Sequence, residues 1–149
     1  MRGLTSAVPA AVTGLLAQFQ TVADVNTNLV VIDANSIVNW PPEYVQVLNV
    51  TNWTQTARNL GNLRREETFS IDCEVRCWAG NQDPATLRNQ AFLYLEQLVL
   101  QFTADPTLGG AVIVAQLVTG TFTQGVPTES GGWQALIEFA VACNAQLEQ

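Results

Sequence analysis

The chain has 149 residues, enough for one domain with one hydrophobic core and too few for two. Apolar residues make up 48 % and charged residues 13 %, about half the charge of an ordinary soluble domain. Thirteen acids oppose six arginines, with no lysine and no histidine. That excludes histidine-based nucleophilic centres, histidine metal ligands, lysine Schiff bases and a P-loop lysine. A net charge of −7 also argues against gripping nucleic acid over the whole surface.

Met1 to Ala17 has the look of a signal peptide, but Pro9, Thr13 and Gly14 interrupt it and its apolar residues recur at helical spacing. The spacing predicts a helix from Ser6 to Ala23, with a buried stripe of Val8, Val12, Leu15, Leu16 and Phe19. Pro9 fits its first turn, and Gly14 weakens it by about 1 kcal/mol relative to alanine. A short strand follows at Leu29–Ile32, then a loop from Asp33 to Pro42 stiffened by Trp40-Pro41-Pro42. Tyr44–Val50 reads as the second strand. Thr51–Arg65 is a long polar segment containing Trp53, Arg58, Gly61, Arg64 and Arg65, and it reads as a long loop, functional or partly disordered.

Glu67–Ala79 alternates strictly. Phe69, Ile71, Cys73, Val75, Cys77 and Ala79 face one way; Thr68, Ser70, Asp72, Glu74 and Arg76 face the other. Gly80-Asn81-Gln82 turns the chain. Asp83 and Pro84 then open a second helix as N-cap and first helical residue. Leu87, Ala91, Tyr94, Leu95, Leu98 and Phe102 form its core stripe. Phe92, Val99 and Leu100 widen the apolar surface beyond one stripe, which marks a face to be covered by another subunit. Asp105-Pro106 stops the helix and Gly109-Gly110 releases the chain. A strand over Ala111–Thr123, a loop over Gln124–Gly132 and a last strand from Trp133 complete the order. Trp133, Ala135, Ile137, Phe139, Val141 and Cys143 are inward on that strand.

The expected fold is therefore a single α+β domain over 1–149, in the order αβββαββ. Its sheet is mainly antiparallel, with about five strands and both helices on one face. No segment approaches the roughly 18 apolar residues of a membrane helix.

The chemistry-bearing candidates are few. Cys73 and Cys77 share a strand face about 13 Å apart, beyond the roughly 7 Å a disulfide tolerates. They read as buried hydrophobes, with Cys143 near enough in the predicted sheet to leave a bridge open. Glu66, Glu67, Asp72 and Glu74 read as solvated charge rather than an acid–base pair. No catalytic, metal or cofactor motif accompanies them. Trp53, Arg58, Arg64 and Arg65 form the one basic, aromatic-bearing segment. Arginine beside an aromatic suits a protein docking site, or less well single-stranded nucleic acid, and a solvated loop is the plain alternative.

Three stretches carry a family resemblance. The first runs from Arg64-Arg65-Glu66-Glu67 through Ile71 to Trp78-Ala79-Gly80. The second is the turn into Asp83-Pro84-Ala85 with Arg88. The third is the helix end Ala104-Asp105-Pro106-Thr107-Leu108-Gly109-Gly110. Together with the element order from about Leu4, they resemble the tail terminator, or tail completion, proteins of long-tailed bacteriophages. The resemblance implies a non-enzymatic virion protein of the tail neck, assembled in the host cytoplasm into a ring, usually hexameric. Its implied partners are the tail tube protein and the head–tail connector. DNA would pass through the lumen without specific binding, with no cofactor and no membrane. Another neck protein, such as a connector or stopper, or a tube-related subunit is the nearest alternative; a small intracellular enzyme or ligand-binding domain is the more distant one.

Overall fold

A computed structural model describes residues 5–59, 63–79, 83–125 and 132–148, the side chains of 58, 59, 63, 64 and 148 excepted. Seven elements follow in the order αβββαββ: α1 Val8–Asp24, β1 Val30–Asp33, β2 Glu43–Asn59, β3 Leu63–Ala79, α2 Pro84–Ala104, β4 Val114–Gly125 and β5 Trp133–Glu148. The strands form one sheet ordered β1-β2-β3-β5-β4. Only β1 and β2 pair in parallel; the other neighbours are antiparallel. Both helices pack on one face, so the expected α+β architecture holds.

The core lies between that face and the helices. Ile71, Val75, Ile137 and Val141 meet Leu15, Phe19, Leu87 and Leu98, and the Phe19 and Phe139 rings touch edge-on at 6.4 Å. The buried stripe of α2 is Leu87, Ala91, Tyr94, Leu98 and Phe102, as its spacing predicts, while Leu95 is half-buried. On α1 the fully buried set is Ala11, Leu15, Gln18, Phe19 and Val22, and Val8, Val12 and Leu16 only flank it. The helix is thus rotated slightly from the expected stripe, with small Ala11 on its buried face.

The largest correction concerns Thr51–Arg65. It is not a loop. Most of it continues β2 and the start of β3 as a long hairpin arm, paired from Thr54↔Thr68 to Asn59↔Leu63. Two register shifts, between Val47 and Val50 and between Thr51 and Thr54, break the alternation that would have revealed the strand. The turns predicted at Gly80-Asn81-Gln82 and over most of Gln124–Gly132 lie outside the described residues. The last predicted strand begins at Trp133 as expected, but Trp133 itself is exposed. Cys143 pairs with Phe69 and Cys73 with Phe139, so Cys143 does not face either of the other cysteines, and all three are free.

Gly14 has a purpose that its helix propensity hides. A Cβ there would lie 2.2 Å from the carbonyl oxygen of Leu108. Leu108 belongs to the turn after α2, where Asp105 accepts the N–H groups of Thr107 at 3.1 Å and Gly109 at 2.8 Å. Leu108, Gly109 and Gly110 all take positive φ there. This tight turn pushes the Leu108 backbone against α1.

Candidate functional site

Asp83 caps α2 as expected: its carboxylate accepts the Thr86 N–H at 2.8 Å. The N-terminus of α1 is capped differently. Ala7 stands at its N-cap and offers no side-chain oxygen. In its place Glu67 reaches across from β3 and accepts the Ala7 N–H at 2.7 Å. A carboxylate at a helix N-terminus also meets the positive end of the helix dipole.

Glu67 has no exposed surface. Its second oxygen accepts from the Trp53 indole at 2.6 Å and from the Gln55 amide at 2.7 Å. Burial pushes the carboxyl upward, but the bonds from Gln55, Trp53 and Ala7 more than offset it and hold Glu67 below the usual carboxylate range. Gln55 in turn donates to the Thr5 carbonyl at 2.7 Å and accepts from Arg65 at 3.0 Å. One buried carboxylate thereby ties the hairpin arm to the helix layer.

This places the predicted docking residues. Trp53 and Arg65 are joined through Gln55 and Glu67. Trp53 remains 52 % exposed despite its indole bond, so it is a fixed aromatic rather than part of a mobile loop. Arg58 and Arg64 are register partners on the arm, and their side chains lie outside the described residues. Glu67 was the functional residue least visible as such. The alternation that puts Phe69 and Ile71 inward also puts Glu67 inward, and that phase was the available signal.

The predicted interface face of α2 is open. Phe92 is 42 % exposed, Val99 39 % and Leu100 60 %. Phe92 packs against Phe122 of β4, ring centroids 5.1 Å apart. Val99 lines a groove of about 380 Å³ with Phe102, Pro106 and Val114. The apolar strip therefore spans α2 and the edge strand β4.

On the sheet face opposite the helices, the segment before β2 covers the Tyr44 end: Trp40 packs on Tyr44 with ring centroids 5.1 Å apart, and the Asn35 N–H donates to Gln46 at 3.1 Å. Asp72, Glu74, Arg76 and Glu138 lie on this face: Glu74 of β3 is directly opposite Glu138 of β5, and Asp72 and Arg76 flank Glu74 on β3. Glu74 accepts the Gln46 amide and, at 3.3 Å, the Tyr44 hydroxyl; Asp72 accepts the Thr51 hydroxyl at 3.4 Å. These carboxylates hold neighbouring strands together. Burial pushes the Cys77 and Cys143 thiols up to about 12, and Cys73 higher still, which leaves them unreactive near neutrality. Among the described residues no group of three or more Cys, Asp or Glu is placed to hold a metal, and no helix is long and apolar enough to cross a membrane. No family model matches the chain, and no curated protein matches it in sequence.

Proposed function

We propose that the protein is a ring-forming tail terminator of a long-tailed bacteriophage, seated at the head-proximal end of the tail tube and joined there to the head connector. The observation that carries the reading is the apolar strip of Phe92, Val99 and Leu100 on α2, continued by Phe122 on β4. A monomer gains nothing from such a strip on its outer helix, whereas a ring subunit buries one patch against each neighbour. The acidic sheet face opposite the helices fits the same reading. Asp72, Glu74 and Glu138 outnumber Arg76 there, and a negative wall lets DNA pass without holding it. Trp53 with the arginines of the hairpin arm is the proposed docking site for the tube or connector.

The test is electron microscopy of tails carrying this subunit with a bulky label, together with polymerisation of tail tubes with and without the protein. Label at the head-proximal end and arrested tube growth support the role. Label elsewhere in the neck assigns one of the other neck roles, and no association with tails or necks ends the reading.

A further inference from the structure

The sheet places its charge against the usual rule. Edge strands expose unpaired N–H and C=O groups, and proteins normally blunt them with charge or proline. Here seven of the 17 residues of the interior strand β3 are charged. The edge strand β4, Val114–Gly125, has no charge and no proline. Neither does Leu48–Ala57 of β2, which becomes an edge once β1 stops flanking it after Val47.

Both edges contain a straight run. At the start of β4 the Ala115 N–H is taken by the Pro106 carbonyl at 2.7 Å. Beyond the shift at Leu117/Thr119, the seven residues Thr119–Gly125 pair with β5 in unbroken register. On the other side, the six residues Thr54–Asn59 pair with β3 in unbroken register. Among the described residues no strand lies outside either run. Thr119, Thr121 and Thr123 on one edge and Thr54 and Thr56 on the other are exposed.

We infer that β4 of one copy pairs with the β2 arm of a second copy, head to tail, and that this pairing closes the ring. Three antiparallel pairings separate β2 from β4, so the two strands run in opposite directions within one chain. Rotation from copy to copy preserves that relation and makes the new ladder antiparallel. The two runs lie at opposite ends of the sheet: Thr119–Gly125 is level with the Trp78 end of β3, and Thr54–Asn59 with the Leu63 end. Copies joined there step by roughly 30 Å along the strands at about 3.3 Å per residue. Such a stagger tilts strands the way closed sheets require.

A second copy is the occupant because one chain carries both halves of the contact. The runs are similar in length, seven and six residues, they run antiparallel, and they carry a single charge between them, Arg58, so neither repels the other. The β4 edge also has apolar area beside it, Phe92 against Phe122 and Val99 in the groove with Val114, which a strand ladder alone lacks. Two different patches on one subunit are what head-to-tail closure needs. The inference rests on the ring reading above and supplies its mode of closure.

The test uses the full chain and two variants, Thr119→Lys/Thr121→Lys/Thr123→Lys on β4 and Thr54→Lys/Thr56→Lys on β2. Circular dichroism checks their folding; where one fails to fold, Thr121→Lys or Thr56→Lys alone takes its place. Light scattering and native mass spectrometry, free and on tail tubes, read assembly. The wild-type chain is expected to assemble and each variant to stay monomeric. An equimolar mixture of the two, each with one intact edge, is expected to give a 1:1 dimer and nothing larger. Assembly of either variant like the wild type, or a mixture that stays monomeric, overturns the edge pairing and leaves the ring standing. A wild-type chain that is monomeric both free and on tubes overturns both.

Discussion

The Glu67 carboxylate on β3 accepts the backbone N–H of Ala7, 60 residues away, at 2.7 Å, and so caps a helix whose own N-cap residue has no oxygen to offer. Further donors come from Trp53 and Gln55 and from the Ser6 side chain. Glu67→Gln keeps the shape but gives up the charge and turns one acceptor into a donor facing donors. We expect a loss of about 2–4 kcal/mol, in the range for buried charge-assisted bonds whose partners are left unpaired. Urea unfolding of the wild type and the variant measures it.

The same carboxylate gives a direction in pH. Its folded pKa is lowered from the ordinary 4.5, so its stabilising contribution is complete above that value and disappears as pH falls through the folded pKa. Unfolding followed from pH 7 to pH 3 should show the wild type losing stability below about pH 4.5, and Glu67→Gln losing markedly less over the same interval. Equal slopes for the two proteins would remove Glu67 from the acid response. With no histidine in the chain, stability and assembly should be flat between about pH 6 and 8.

Gly14→Ala tests the contact between α1 and the Asp105–Gly110 turn. Propensity alone favours alanine by about 1 kcal/mol. The added methyl, however, would sit 2.2 Å from backbone rather than from a side chain that can swing away. Overpacking should win, with a net loss of about 1–3 kcal/mol in denaturant unfolding.

Much of this fold was legible in the sequence because its signals are local. Asp83-Pro84 announces a capped helix, and the alternation from Glu67 to Ala79 announces a half-buried strand. The buried stripe of α2 follows from spacing alone. What failed was non-local. Trp53 and Gln55 look like loop residues until β3 is beside them, and two bulges hide the period of the arm. Gly14 reads as a defect until Leu108, 94 positions later, arrives against it. The candidate site divides in the same way: Phe92, Val99 and Leu100 break their helical stripe and can be seen from spacing. The role of Glu67 depends on four partners scattered from Thr5 to Gln55, or bonded through them.

The α2 strip yields a prediction that separates folding from assembly. Leu100→Ser and Val99→Ser remove exposed apolar area, so each should change monomer stability by less than about 1 kcal/mol. The pair should nevertheless weaken ring formation by tenfold or more, read as the concentration at half-assembly in sedimentation velocity, because truncated interface anchors commonly cost over 1 kcal/mol per contact. Unchanged assembly would take this face out of the interface.

The arginines of the hairpin arm make the last prediction, and the structure changes which of them should be altered. Arg65 bonds to Gln55, which is bonded to Glu67, so Arg65→Glu would put a second carboxylate close to a buried one and mix a folding defect into any functional readout. Arg58→Glu/Arg64→Glu is the cleaner variant for folding, since its two positions lie farther along the arm toward the hairpin end; because Arg58 also lies in the Thr54–Asn59 run, ring assembly is measured beside attachment. Stability should stay within about 0.5 kcal/mol of the wild type, as for ordinary surface changes. Attachment to tail tubes or connector should fall at least tenfold in a pull-down with purified components. Arg65→Gln serves as the control: it removes charge without adding any and should lower attachment less than the double reversal does. A double variant that completes tails at the wild-type rate would mean that the arm docks through Trp53 alone or not at all.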